Sequence, residues 1–394
     1  MKNKYHKKVF RIILFSIIFV SVSLAGFSQA LGDVNGNGTV DIVDALLIAQ
    51  YYVGLNPSGF LQSAGDTNCD SVIDIVDALL VAQYYVGLIP ELSCSTPGPT
   101  SVSTPGPTTP PGELYTGNAT WYYSLGAPYG GCGLGQSYLD SVHFVALNVQ
   151  DSPGDYTTFL ERPIPSEYAD NIGMFDNGHN CGRWVRVTIG DYCNGINDGI
   201  PNEPFCHDGS GWVSDSYNGA VLNMIVADSC HDGNAWCRDD PYHIDLARDS
   251  LNQFEIDGVP VGDMDPDHWN NRQVHWEFIE APNYTGDIRI GFILSAQIWW
   301  PVIAVTRLKN GIHGVDYYDG TNWVKAEMLD DMGQCYVIGP TSMVDGEPGN
   351  NFRIRVYDVN DQLINDGRIY NFPMPESCGN SCPDTFNEVT YTIE

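Results

Sequence analysis

Positive charge is what this chain has least of. Its 394 residues hold 18 Lys and Arg against 49 Asp and Glu, a formal net charge of −31. Five of the basic residues (Lys2, Lys4, Lys7, Lys8, Arg11) lie in the first 30 positions, which hold no acid, so the charge without that segment is −36. Such a polyanion is repelled by nucleic acid and by anionic lipid, which excludes both as partners. Long apolar runs are missing too. The run from Ile12 to Leu24 is about 13 residues, short of the ~20 that span a bilayer. None of the eleven cysteines form a CxxC pair, which argues against structural zinc. Charged residues make up only 17% of the chain, yet Gly 41, Tyr 22 and Trp 9 speak for a turn-rich, aromatic, mainly β protein rather than a disordered one. At this length two or three domains are expected.

Basic residues ahead of the apolar run, and Ser28-Gln29-Ala30 after it, read as a secretory signal over residues 1–30. An extracellular product is expected, and its cysteines should then form disulfides. Six of them (Cys132, Cys181, Cys193, Cys206, Cys230, Cys237) fall in one segment and suggest three bridges, with 15 pairings open. Cys69, Cys94, Cys335, Cys378 and Cys382 lie outside that set, and the odd total leaves at least one thiol free or paired with another chain.

The stretch beginning at Asp33 recurs 33 residues later, from Asp66 to Leu88. Each copy carries oxygen-bearing side chains at loop positions 1, 3, 5, 9 and 12: Asp33, Asn35, Asn37, Asp41 and Asp44, then Asp66, Asn68, Asp70, Asp74 and Asp77. Position 7, Thr39 and Val72, would add a backbone carbonyl. Calcium needs six to eight hard oxygens around a tight loop, so two calcium ions are expected. A helix follows each loop, with Ala45, Leu46, Ile48, Ala49, Tyr52 and Val53 at three and four spacing. This pattern, over residues 31–93, resembles a type I dockerin, with Ser71 in place of a turn glycine as a departure. The resemblance implies a small α-helical calcium-binding module that binds a cohesin of a scaffoldin. Loop positions 10 and 11 (Ile42, Val43, Ile75, Val76) would make that contact, and their identity in both copies implies two-fold binding. The competing reading buries these four in the core. Residues 94–116 then form a Pro/Thr/Ser-rich, semi-rigid linker.

From Gly117 on, short apolar runs are broken by Gly, Asn and Asp. Val142 to Val149, Trp184 to Ile189, Val221 to Val226, Val274 to Ile279, Ile288 to Leu294 and Phe352 to Tyr357 read as strands, and only Leu246 to Phe254 looks helical. Two all-β domains are expected, 117–256 and 273–394, joined by the polar connector 257–272. Asp228 and Asp245 each close an apolar strand, where carboxylates can line a polysaccharide cleft or merely cap turns. Trp299 and Trp300, if on a regular strand, would point to opposite faces unless a bulge turns both outward.

Several ordered motifs over about residues 117–375 resemble the expansin family. They are Gly117-Asn-Ala-Thr-Trp-Tyr, Gly131-Cys-Gly-Leu-Gly, Phe175-Asp-Asn-Gly-His-Asn-Cys-Gly, Val226-Ala-Asp-Ser-Cys, His243-Ile-Asp-Leu and Ile298-Trp-Trp-Pro-Val-Ile. The resemblance implies a six-stranded double-psi β-barrel followed by an immunoglobulin-like, cellulose-binding β-sandwich. It makes Asp245 the essential acid, Asp228 its cleft partner, Thr120 a sugar-facing hydroxyl and Tyr122 a neighbour on the same strand. It makes Trp299 and Trp300 a stacking platform for cellulose, with Tyr336, Tyr317 or Tyr318 as a third aromatic because the equivalent position falls near Asp331-Met332. His243 is either a cleft residue or a packed histidine. The related family 45 glycoside hydrolases need a base carboxylate after the opening strand, whereas Trp121-Tyr-Tyr-Ser-Leu-Gly-Ala holds no acid. The expected function is therefore loosening of plant cell-wall glucans without hydrolysis, by a secreted protein carried on a cellulosome on or near a bacterial surface. The alternatives are a family 45-type endoglucanase, with Asp140 or Asp155 as the missing base, and an inert adhesin.

Overall fold

The computed structural model describes residues 30–69, 72–85, 89, 92, 112–231, 233–282, 284–344 and 347–394. The signal segment, most of the linker, Asp70, Ser71 and Cys94 lie outside the described residues. The chain divides into two units, Met1–Val102 and Ser103–Glu394. Among the described residues no helix is long and apolar enough to cross a membrane.

The first unit holds α1 (Ile42–Tyr52) and α2 (Ile75–Tyr85). Asp41 caps α1 by accepting from the Val43 amide, and the Asp44 carboxylate returns to the Asp41 amide, a capping box that fixes where the helix starts. Asp74 and Asp77 repeat both bonds at α2. Small residues let the two helices approach over a compact core of Val34, Ala45, Ile48, Ala64, Ala78 and Val81.

The second unit opens with a closed barrel. Its strands are β1 (Tyr115–Tyr122), β2 (Phe144–Asn148), β3 (Trp184–Ile189), β4 (Val221–Cys230), β5 (Ile244–Ala247) and β6 (Gln273–Ile279). They pair in the order β2-β5-β1-β6-β3-β4, and β4 returns to β2, so no edge is left in the ring. The β1–β5 and β2–β4 pairs are parallel and the other four antiparallel. This six-stranded ring is the barrel expected from the sequence, with two corrections. β6 pairs with β1 and β3, so Val274 to Ile279 belongs to the barrel and not to the sandwich; the polar stretch 257–272 is a barrel loop, not the connector. The strand alternates between core and surface, a pattern shared by sandwich strands, so periodicity alone did not assign it. Leu246 to Phe254 is not an α-helix: β5 runs to Ala247, and a 3₁₀ turn follows over Arg248–Gln253.

Two five-stranded antiparallel sheets follow. One contains β7 (Arg289–Phe292), β8 (Val302–Thr306), β11 (Glu327–Met328), β12 (Cys335–Val337) and β15 (Asn387–Glu388) in the order β11-β12-β8-β7-β15. The other contains β9 (Gly314–Tyr318), β10 (Trp323–Lys325), β13 (Phe352–Tyr357), β14 (Tyr370–Phe372) and β16 (Thr392–Ile393) in the order β10-β9-β13-β14-β16. Phe292 meets Phe352 and Phe372 between the sheets. All five residues of β8 are buried, because its outer face is covered as well as its inner one. Leu134 of the barrel joins the sandwich core, and Tyr138 and Leu139 pack on it. Asp140 accepts from the Thr306 hydroxyl and the Arg307 amide at 2.7 and 2.6 Å. At Gly178 (φ +89°) a Cβ would lie 2.0 Å from the Asp331 carbonyl oxygen, so only glycine permits this approach of the two domains.

The six clustered cysteines form three bridges, Cys132–Cys181, Cys193–Cys206 and Cys230–Cys237, and Cys378–Cys382 ties the sandwich. Cys69 is disulfide-bonded as well. Cys335 is a free thiol, and burial pushes its pKa up to about 12. Alkylation of the native, unreduced protein should therefore leave Cys335 unlabelled. Denaturation without reductant should expose the Cys335 thiol, mapped by peptide mass spectrometry; a label on any of the six barrel cysteines would contradict these pairings.

Candidate functional site

The barrel's register builds the candidate cleft. Thr120 of β1 lies opposite Asp245 of β5, Asp245 opposite Ala146 of β2, and Ala146 opposite Asp228 of β4. Four neighbouring strands thus present one row, in which the two acids flank a small residue. At ~4.8 Å per strand their Cα atoms are about 10 Å apart. The row depends on a bulge: Val145 faces Val226, but the next residue, Ala146, faces Asp228 and skips Ala227. The extra residue re-aims the strand end and brings Asp228 into line.

Each acid has its own electrostatic setting. Asp228 accepts at Oδ1 from the Gly131 amide (2.7 Å) and the Ser229 amide (3.0 Å). Burial nevertheless raises its pKa above the ordinary carboxylate value; these amides and the Arg162 charge pull the other way, while Asp245 adds to the rise. At Gly131 a Cβ would come 2.7 Å from the Ser229 hydroxyl, which would have to turn away. Asp245 is partly buried and pairs with His243. The His243 ring is fully buried, and its Nε2 lies 3.0 Å from Thr120 Oγ1 and 3.2 Å from Asp245 Oδ1. A proton on that nitrogen is therefore shared between a hydroxyl and a carboxylate. Burial opposes charge on His243, but the hydrogen bond and charge of Asp245, with Asp240 behind, raise its pKa above the usual value. The Tyr122 phenol sits near both acids, its pKa raised well above normal by burial and then by the charges of Asp228 and Asp245. Its ring packs on Phe144. The structure thus brings Thr120, Tyr122, Asp228 and Asp245 together and adds His243 to them as a hydrogen-bonded member.

Asp140 and Asp155 are committed elsewhere. Asp140 holds the sandwich, and Asp155 closes its own turn by accepting from the Thr157 and Thr158 amides and the Thr157 hydroxyl, which lowers its pKa to about 2. Cys230, Cys237, His243 and Asp245 present ligand atoms within 4.8 Å of one another. The two sulfurs are joined as a disulfide, so they are not available as thiolate ligands.

Trp299 and Trp300 do not lie on a regular strand. Trp300 and Gln297 exchange backbone hydrogen bonds in a tight turn between β7 and β8. Both rings are therefore outward, with Trp299 61% and Trp300 37% exposed. Tyr336 is corrected: it is 2% exposed in the sandwich core and cannot stack on a ligand. Asp331, near the expected third aromatic position, is buried against the barrel. Tyr317 packs on the core, and Tyr318 pairs with Trp323 on the other sheet, under Arg353.

In the small unit, loop 33–44 folds around its own oxygens. Asp33 accepts from the Asn37 and Gly38 amides, Asn35 from the Asn37 amide, Asn37 from the Thr39 amide and hydroxyl, and Asp44 from the Val34 and Asn35 amides. Gly36 and Gly38 take the positive φ that the turn needs. The hard-oxygen set Asp33, Asn35, Asn37, Asp41 and Asp44, with the Thr39 carbonyl, fits calcium chemistry. Asp77 repeats the role of Asp44 on the Thr67 and Asn68 amides. Ile42, Val43, Ile75 and Val76 are about half exposed, so they are not core. Leu46 and Leu79 stand equally exposed one turn on; the repeat held that signal, since both copies share the residue.

Residues 31–85 match the dockerin type I domain. This dockerin is the part of the chain that a family model matches. Two solved structures are similar to the chain over 66% of its length and 90% of theirs: the apo expansin of Clavibacter michiganensis, at 18% identity and a TM-score of 0.37, and a mutant of that expansin in complex with cellohexaose, at 18% and 0.35. No curated protein matches.

The His243–Asp245 pair generates a titration test. The raised His243 value stabilises the fold below pH ~6.5, and that contribution fades as pH rises through the raised midpoint. Ring-proton NMR should place the wild-type midpoint above the usual histidine value, and Asp245→Asn should lower it by roughly one unit. An unmoved midpoint would mean that the two side chains are not paired.

Proposed function

We propose that this chain is a cellulosome-associated, expansin-like protein that binds cellulose and loosens plant cell-wall glucans without cutting them. The observation that carries this reading is the row Thr120–Asp245–Ala146–Asp228. Carboxyl and hydroxyl groups in one row can exchange hydrogen bonds with glucan hydroxyls and displace contacts between chains. Cutting a glycosidic bond by inversion in the family 45 manner needs, besides the acid of the row, a base carboxylate after the opening strand that holds a water. The segment after β1 lacks an acid, and the two other candidates are consumed in structural contacts. Trp299 and Trp300 would hold the polymer by stacking on the apolar faces of its sugar rings. The dockerin would bind two calcium ions, one through Asp33, Asn35, Asn37, Thr39, Asp41 and Asp44, the other through Asp66, Asn68, Asp70, Val72, Asp74 and Asp77. Each ion would hold its loop closed and so the module folded. Its paired apolar face, Ile42 and Val43 with Ile75 and Val76, would seat a cohesin outside the cell. The glycosidase reading keeps one observation in its favour: burial raises the pKa of Asp228, the direction that suits a general acid.

Three measurements on one preparation separate these readings. Trp299→Ala or Trp300→Ala should weaken adsorption to cellulose about tenfold, since a stacked ring is worth roughly 1–3 kcal/mol, and should weaken loosening with it. Asp245→Asn should keep adsorption within about twofold and abolish the weakening of filter paper. Neither should alter soluble sugar release, which stays at background in the wild type; release that Asp245→Asn abolishes would make the protein a glycosidase.

Chelation gives the calcium test. Excess EDTA should collapse the helical circular dichroism of a dockerin fragment, residues 31–93, and abolish cohesin capture by the full chain, and added calcium should restore both. Cohesin binding unchanged in chelator would refute the calcium assignment.

A further inference from the structure

One basic side chain joins the barrel's acid row to the sandwich. Arg162 makes a two-pronged ion pair with Asp331 in the turn between β11 and β12, with Nη2 2.7 Å from Oδ1 and Nε on Oδ2. Its remaining prong, Nη1, donates to the Ser229 hydroxyl. Ser229 follows Asp228 on β4, and its amide donates to the Asp228 carboxylate. The Phe175 ring lies 5.1 Å from the guanidinium carbon and limits its freedom. The Asp331 carboxylate is almost fully buried, held where its backbone abuts Gly178 of the barrel. A planar fork held at both ends transmits position as well as charge, which a lysine would not.

We propose that Arg162 is a positioning residue through which Asp331 of the sandwich sets the state of Asp228 in the barrel cleft. The inference rests on the cleft reading above. The charged and titratable groups around Asp228 are Arg162, Tyr122 and Asp245, with His243 behind Asp245. Arg162 favours the ionised form of Asp228 and Asp245 opposes it. Asp331 neutralises part of the Arg162 charge and fixes its direction, so the docked sandwich determines how readily Asp228 keeps its proton. The binding domain and the acid row then act as one device rather than two tethered ones.

The test is a carboxyl carbon-13 NMR titration of Asp228 in the full chain. Arg162→Gln should raise the Asp228 midpoint by about half a unit or more, because an attracting charge is lost. Asp331→Asn should lower it, because the guanidinium loses its counter-ion, and the double variant should fall between the two. An unmoved midpoint in Arg162→Gln, or shifts of the same sign in both single variants, overturns the proposal. Should Arg162→Gln not fold, Arg162→Lys replaces it. In that background Asp331→Asn should move Asp228 by less than half as much as in the wild type, and an equal shift in both backgrounds would mean direct action through space and overturn the relay. The titration needs no polysaccharide, so a wild type that loosens nothing would defeat the proposed function and leave this result readable.

Discussion

The parallel pairing of β2 with β4 closes the barrel, and most of what this protein presents follows from it. Closure fixes the register around the ring, and register decides which side chains stand abreast. A slip of one residue would turn Asp228 to the opposite face and fill its place with Ala227. The bulge at Ala227 is the local device that sets this register. The acids are thus neighbours through hydrogen bonds between strands that are distant in sequence.

Scarce positive charge is spent inside the second unit. Arg183, Arg238 and Arg272 are nearly fully buried. Arg183 lies 3.5 Å over the Phe278 ring, Arg238 donates to the carbonyls of Asp155 and Thr158, and Arg272 forks onto Asp215. Arg238 and Arg272 each serve as a multiple donor that ties a loop to the barrel, which an ammonium would do less well. Arg162 belongs to this group but reaches across the domain boundary. The surface is left strongly acidic, and Trp299 and Trp300 stand exposed on it. The same logic holds in the dockerin, where apolar residues repeated on two helices stand out to solvent beside acidic loops.

Local patterns were legible in the sequence alone. The loop oxygens and the helix that follows them lie within about twenty residues and recur once, the alternation of Phe352 to Tyr357 is written in six, and the barrel cysteines stood out as an even set in one segment. Their physics is local: a loop folds around its own oxygens, and a strand's period is written in successive residues. Motifs also singled out Asp228 and Asp245, which the register sets in one row across β4, β2 and β5. Tertiary structure decided the rest. β6 went to the barrel because its partners are β1 and β3, more than 80 residues away. Tyr336 went to the core because its strand lies between two others, and both tryptophans went outward because they sit on a turn. Arg162 and Asp331 meet across 169 residues. No local period encodes such a pair, because complementary charge and the space to bury it arise only once both domains are folded against each other.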